Sequence, residues 1–410
     1  MSNHLSYQFA NPLSQEPSHI YYDLNIVNND TTGTKSPVKI NFNEIRNSPI
    51  ILNPEDYFVS VARFKLETSY TLPAYVPQIQ LNQMDANKTI YSFTMSYLSP
   101  VDFVNYEFQQ YITWSPENLT AFNPPTPTVL DSQSSPYYYG YNFQHFVDLM
   151  NVALLSCITS LNSVVQTATG SGITNYLSFP FFLLDQNTKR MSLVARESVY
   201  GDVAGLHKVK IWCNSPMFNL ISSFQARYYG ESSSITNGKN FEILIKNINN
   251  TNYYLQNNTA SPPTFLYNGL QMFQEYSVLS LWSPIDKIQF TSSLLPISPS
   301  LTGKPLVYNS DTTQTQSGNN ANITLNITDF QQQTDEGGVL YKPYIAYIPQ
   351  SEYRFIDLFG NNPVSAIEIS VFWVDKFGNS NPFYLASSCN ASIKLLFRRK
   401  DFNNMTLDTQ

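Results

Sequence analysis

The chain has 410 residues and more aromatic than charged side chains: 28 Tyr, 27 Phe and 4 Trp against 23 Lys+Arg and 30 Asp+Glu. Charged residues make up 13% of it, where an ordinary soluble domain carries about a quarter. With a net charge of −7 and no basic residue before Lys35, it lacks the Lys/Arg arm that a genome-wrapping coat protein needs to displace counterions from phosphate.

A surface of this composition must be tiled with Asn, Ser, Thr, Gln and Tyr hydroxyls. Such surfaces meet other proteins at little desolvation cost, and interface cores are rich in Tyr, Phe and Trp. A large β-protein also uses aromatics simply to fill its cores. Either way the composition points to assembly or binding and away from catalysis. The length exceeds what one hydrophobic core usually serves, so two cores are expected. Cys157, Cys213 and Cys389 are few, far apart and odd in number, which fits a reducing compartment. The first residues form neither a charged nor an apolar leader segment, so no secretory signal is read there. Apolar runs such as residues 176–184 are too short to span a bilayer, and no membrane span is expected.

Residues 1–18 are polar, contain Pro12 and Pro17, and read as an extended N-terminal arm. After them period-two alternation dominates, the mark of half-buried strands. Tyr22, Leu24 and Ile26 share one face; Val38, Ile40 and Phe42 follow across a loop; Phe58, Ala62, Phe64 and Leu66 then oppose Arg63, Lys65 and Glu67. One segment breaks the pattern. Over residues 142–161, Phe146, Leu149, Met150, Ala153, Leu154, Cys157 and Ile158 recur at helical spacing behind a capping Asn142. Residues 181–195 read as a hairpin and 216–224 as a second, short helix. Strand alternation returns at Phe241/Ile243/Ile245, Ile323/Leu325/Ile327, Ile367/Ile369/Val371/Trp373 and Ile393/Leu395/Phe397.

In the Ile323 strand the other face, Asn322, Thr324, Asn326 and Thr328, is wholly neutral and polar. It is either wet or packed on another subunit, and is the candidate interface face. In residues 353–358 Arg354 and Asp357 stand three apart in an otherwise apolar hexamer, which makes them a candidate structural ion pair. Arg398, Arg399 and Lys400 read as the charged exit of a strand.

Chemistry finds little footing. His4, His19, His145 and His207 show no metal-ligand spacing, and no nucleophile elbow or phosphate loop occurs. Cys157 falls on the apolar face of the helix and reads as an inert thiol. Glu107 and Asp375 have aromatic neighbours, but no spacing marks them as a glycosidase pair. No catalytic residue, cofactor or metal is assigned. More than ten strands with one buried helix imply a mainly β protein, an antiparallel β-sandwich or jelly roll, with any second core a β-rich insertion carrying the one long helix. The expected division is residues 19–134 with 266–410 as the jelly-roll core and 135–265 as the insertion.

Several segments, in order, carry a resemblance: Tyr21-Tyr22-Asp23-Leu24, Pro49 to Phe58, Val61-Ala62-Arg63-Phe64, Leu72-Pro73, Ser280-Leu281-Trp282-Ser283-Pro284-Ile285, Thr291 to Pro296, Tyr353-Arg354, Phe372-Trp373 and Ser392 to Arg398. Together they resemble the minor capsid (penton) proteins of virophages and polinton-like double-stranded DNA viruses. Of the two β architectures, the resemblance implies the jelly-roll sandwich. It also implies a non-enzymatic capsid protein at the virion vertex, synthesised in the host cytoplasm. Its implied partners are its own copies, as a homopentamer, and the neighbouring major capsid protein. It implies no direct nucleic-acid binding and leaves room for a host glycan or receptor. Two other readings stay open: a double jelly-roll major capsid protein, which would be a trimer, and a carbohydrate-binding, adhesive β-sandwich.

Overall fold

The structure, a computed structural model, describes residues 17–30, 38–67, 72–80, 84–117, 136–201, 207–231, 237–246, 250–255, 265–297, 306–308, 314–316, 324–329, 344–347 and 354–400. Its main elements begin with β1 (His19–Val27), β2 (Asn41–Ile45) and β3 (Tyr57–Glu67). Next come β4 (Lys88–Leu98), β5 (Asn105–Thr113), helix α1 (Phe143–Thr169), β6 (Phe181–Leu184), β7 (Met191–Arg196) and β8 (Val209–Cys213). They are followed by α2 (Ser215–Leu220), β9 (Ala226–Tyr228), β10 (Phe241–Ile243), β11 (Asn250–Leu255) and β12 (Phe265–Phe273). The last third holds β13 (Ile285–Thr291), β14 (Thr324–Asp329), β15 (Tyr344–Tyr347), β16 (Ile356–Asp357), β17 (Ala366–Asp375), β18 (Ser380–Pro382) and β19 (Asn390–Arg399).

The chain divides into two units. One comprises Met1–Leu72, Ile285–Gln333 and Pro343–Gln410; the other comprises Pro73–Pro284 with Thr334–Lys342. The insertion therefore begins and ends elsewhere than at residues 135 and 265, and β4 and β5 belong to it. The reason is pairing: β4 lies between β5 and β8, with Phe93 opposite Cys213 and Met95 opposite Ile211. Alternation shows that a segment is a strand but not which strand it joins.

In the first unit, one sheet has the order β1-β19-β3-β15, with β16 also on β3. The other has β14-β13-β17, with β2 and β18 sharing the far edge of β17. Every pairing is antiparallel, and the chain changes sheet as a jelly roll does. Phe64 of β3 meets Phe290 of β13 edge-on with ring centroids 5.2 Å apart, so the two sheets pack face to face. Around that contact Val59, Val61, Leu66, Ile393, Leu395, Ile367, Ile369 and Val371 are buried.

The alternation expected along β3 is interrupted. Lys394 stands opposite Arg63 and Leu395 opposite Val61, which leaves Ala62 as an extra residue. This bulge reverses which face each residue takes. Val59 and Val61 line up with Phe64 in the core, while Phe58 turns to the opposite face and is only half-buried.

Of the expected arm, residues 1–16 lie outside the described residues. Its last two belong to the sandwich: the Pro17 carbonyl accepts from the Tyr57 hydroxyl at 2.7 Å, and the Ser18 carbonyl from the Arg399 N–H at 2.9 Å.

The second unit has a five-stranded sheet, β9-β10-β8-β4-β5, and a four-stranded one, β11-β12-β7-β6. Helix α1 packs on β4, β5 and β6. It is long and apolar enough to cross a bilayer, but Phe146, Met150, Leu154, Cys157, Ile158 and Leu161 are buried in the core of this unit. Asn142 caps it by accepting from Gln144 N–H at 2.9 Å, and Gly170, at φ 75, ends it in the left-handed region. It runs past the expected residue 161 to Thr169; residues 162–169 are mostly polar or β-branched, so little apolar periodicity marks this last stretch in the sequence. Asn151 ties α1 to β6 with two bonds, donating to the Phe182 carbonyl at 3.0 Å and accepting from its N–H at 2.7 Å. The hairpin over 181–195 forms as β6 and β7, and the short helix is α2, capped by Asn214 on Met217 N–H at 3.1 Å.

Gly140 marks the tightest spot of this core. Its carbonyl accepts from Ala74 N–H at 2.7 Å, and a Cβ there would lie 2.1 Å from the Tyr75 ring. Tyr75 cannot give way, because Trp114, Phe146 and Trp282 all pack within 6.1 Å of its ring centroid. Gly140→Ala is therefore expected to cost about 1–3 kcal/mol as overpacking. Urea unfolding of the variant measures this; wild-type stability would mean the ring has room.

Candidate assembly surface

The sandwich has two lateral sides, and they are unlike. On one side β1 and β2 lie together: the Tyr22 hydroxyl donates to Glu44 at 2.7 Å, and the Arg46 guanidinium lies 5.8 Å from the Tyr22 ring centroid. Burial and the Glu44 carboxylate raise the Tyr22 pKa above the ordinary tyrosine value. Beyond β1 no strand pairs among the described residues, and the side chains it shows to solvent include apolar ones. Tyr21 is 60% exposed, Val27 65%, and Ile45 at the end of β2 77%.

The opposite side is formed by β14 and β15, each the outer strand of its sheet. The neutral face expected to be an interface maps here in part. In backbone register Thr324 stands opposite Thr291, Asn326 opposite Phe290 and Thr328 opposite Ile288; Asn322 lies outside the described residues. The register slips between Phe290 and Thr291, so Leu325 is left without an opposite number. Ile288, Phe290 and Thr291 are buried.

The expected ion pair is also re-partnered. Asp357 pairs with Lys400 at 3.0 Å, not with Arg354. Residues three apart on an extended segment point to opposite faces, so Arg354 could not reach Asp357 along the strand. The site is half-exposed, not buried, and Arg354 is exposed. Lys400 also donates to the Leu358 carbonyl at 3.3 Å and sits 5.4 Å from the Phe58 and 5.7 Å from the Phe359 ring centroid. Arg398 covers Phe355 at 5.5 Å. The basic exit of β19 is thus engaged by aromatic rings and a carboxylate of its own unit. The missed signal was the parity flip at Ala62, which brings Phe58 to this face.

The residues weighed for chemistry stay apart. His145 meets the Ser115 carbonyl at 2.7 Å, and His207 the Leu98 carbonyl at 2.8 Å. Among the described residues no group of three or more His, Cys, Asp or Glu could hold a metal ion. Asp375 closes a turn by accepting from Phe377 and Asn379 N–H, and Glu107 pairs with Lys239 in the other unit. Burial pushes the Cys157 thiol up to about 12, so it stays protonated.

The family described as Sputnik minor capsid protein V18/19 matches residues 20–399. The chain belongs to that family. It is a structural protein of a viral capsid and not an enzyme. Structural protein V19 of Sputnik virophage is 28% identical over 224 residues, which is 54% of this chain and 95% of that protein. Protein V18 of the same virophage is 32% identical over 167 residues, 39% of this chain and 95% of its own length. A chain of the Sputnik virophage particle, solved by cryo-electron microscopy, superposes with a TM-score of 0.70 at 27% identity, covering 95% of this chain and 99% of its own. The mavirus penton protein shares the fold, with a TM-score of 0.59 at 14% identity over 93% of this chain and all of its own.

A double-mutant cycle between Asp357→Asn and Lys400→Met should show coupling of about 0.2–1 kcal/mol, the range of an exposed pair. The same cycle with Arg354→Met should show none; coupling there instead would restore the original pairing.

Proposed function

We propose that copies of this chain close into a homopentameric ring at the fivefold vertices of an icosahedral shell, flanked by the major capsid protein. The observation that carries this reading is the pair of unlike lateral sides on one sandwich. A closed ring of more than two subunits needs two different, mutually complementary patches on each copy, because like-to-like contact yields only a dimer. The β1/β2 side offers exposed Tyr21, Val27 and Ile45, and the β14/β15 side offers two strands that are outermost in their sheets among the described residues. The shared fold of the mavirus penton protein supports the same reading. A trimeric double jelly roll is less well supported, since among the described residues the second unit is two sheets packed with a helix. Three cysteines without a disulfide support synthesis in a reducing cytoplasm.

Val27→Lys with Ile45→Lys adds charge to the first side at positions open to solvent. Sedimentation should show five-copy assembly in the parent and a loss of at least about tenfold in association for the variant, with an unchanged melting temperature. Unaltered assembly of the variant would remove the β1/β2 side from the interface.

A further inference from the structure

The inserted unit contains a cavity of about 740 Å³, within the size range of small-ligand sites. Its walls come from β4, β5, β8, β9 and β10 and from the segments beside them that carry Tyr200, Lys208 and Lys239, all within one unit of one chain. Four cations line it, Lys208, Lys210, Arg227 and Lys239, against two carboxylates, Glu107 and Glu242. That surplus of two positive charges sits in a chain whose net charge is −7.

The charges are arranged, not scattered. Glu242, with a side chain only 9% exposed, holds Lys210 at 3.2 Å and Arg227 at 3.5 Å, and accepts from the Tyr229 hydroxyl at 2.7 Å. It fixes two cations that are themselves 55% and 59% exposed and can still meet a ligand. Lys239 pairs with Glu107 and lies 5.6 Å from the centroid of the Trp212 ring, whose N–H donates to Ser96 at 3.0 Å. The Lys208 ammonium donates to the carbonyls of Glu197 and Ser198, and no carboxylate pairs with it among the described residues.

The rim adds a second, independent observation. Leu98 and Asn105 both line the cavity, and the turn between them carries Val101, 59% exposed, and Phe103, 72% exposed. Phe103 has φ 59, a left-handed backbone that is a true outlier for a bulky side chain. Such strain persists only where the surroundings enforce it, and it clusters at ligand sites. Here Asp102 enforces it by accepting from the Tyr106 hydroxyl and from Val104 N–H, while the Phe103 ring stands edge-on to His207 at 6.0 Å.

We propose that this cavity binds an acidic saccharide, one bearing a carboxylate or a sulfate. Lys210 and Arg227, pre-set by Glu242, receive the anionic group. Glu107 and Asn105 exchange hydrogen bonds with ring hydroxyls, and Phe103 offers an apolar face to the C–H side of a sugar. The two carboxylates inside the cavity disfavour a densely charged phosphate but suit a polyol. The cation surplus favours an acidic sugar over a neutral one. The inference goes beyond the assembly reading and does not depend on how many copies form a ring.

Titration calorimetry of the full chain tests it with sialyllactose, a monosulfated lactose, neutral lactose, and phosphatidylcholine vesicles containing phosphatidylserine. One or both acidic saccharides should bind, which separates carboxylate from sulfate, and lactose and vesicles should not. Arg227→Gln should weaken binding about tenfold, as the loss of one charged hydrogen bond does. Phe103→Gly should weaken it while keeping or raising the melting temperature, since glycine accepts that backbone without strain. Both variants should assemble as the parent does, so a failure of assembly and a failure of binding are read separately. The proposal is overturned if neither acidic saccharide binds, if lactose binds equally, if the vesicles bind instead, or if both variants keep parental affinity.

Discussion

The edge-on contact between Phe64 and Phe290 joins the last strand before the insertion to the first strand after it. Because β3 and β13 are clasped across the core of the sandwich, the chain between them starts and ends at neighbouring points. A loop closed in that way grows in entropic cost only with the logarithm of its length. A segment of this size is then tolerated provided it has a core of its own, and α1 with its two flanking sheets supplies one. The sandwich is thereby left with the topology of an uninterrupted jelly roll.

The shortage of charge acts differently in the two units. On the sandwich, the ions near the end of β19 are engaged within the unit: Lys400 pairs with Asp357, and Arg398 lies over an aromatic face. On β1, Asp23 holds both Arg63 and Lys394 at 3.2 Å. What remains on the β1/β2 side includes the exposed apolar side chains of Tyr21, Val27 and Ile45, which suit contact between subunits. In the inserted unit the opposite holds. Cations are gathered around one cavity and held in place by a nearly buried carboxylate.

Much of the fold was legible in the sequence. Strict alternation at Ile367 to Trp373, helical spacing behind Asn142, and the two apolar runs of the hairpin over residues 181–195 each named an element correctly, because each depends on near neighbours. What escaped depends on residues far apart. The single extra residue at Ala62 reverses the facing of Phe58, and a rule of pure alternation cannot see it. The pairing of β4 with β8 moved the boundary of the insertion, and the partner of Asp357 proved to be a residue 43 positions on (400 − 357). The cavity residues come from five strands and the segments between them, and of its charged residues only Glu107 had stood out beforehand, for the wrong chemistry.

Cryo-electron microscopy of the assembled chain is the most direct test of this account. It predicts fivefold rings in which the β1/β2 side of each subunit abuts the β14/β15 side of the next. Threefold particles, or rings in which like sides meet, would contradict it.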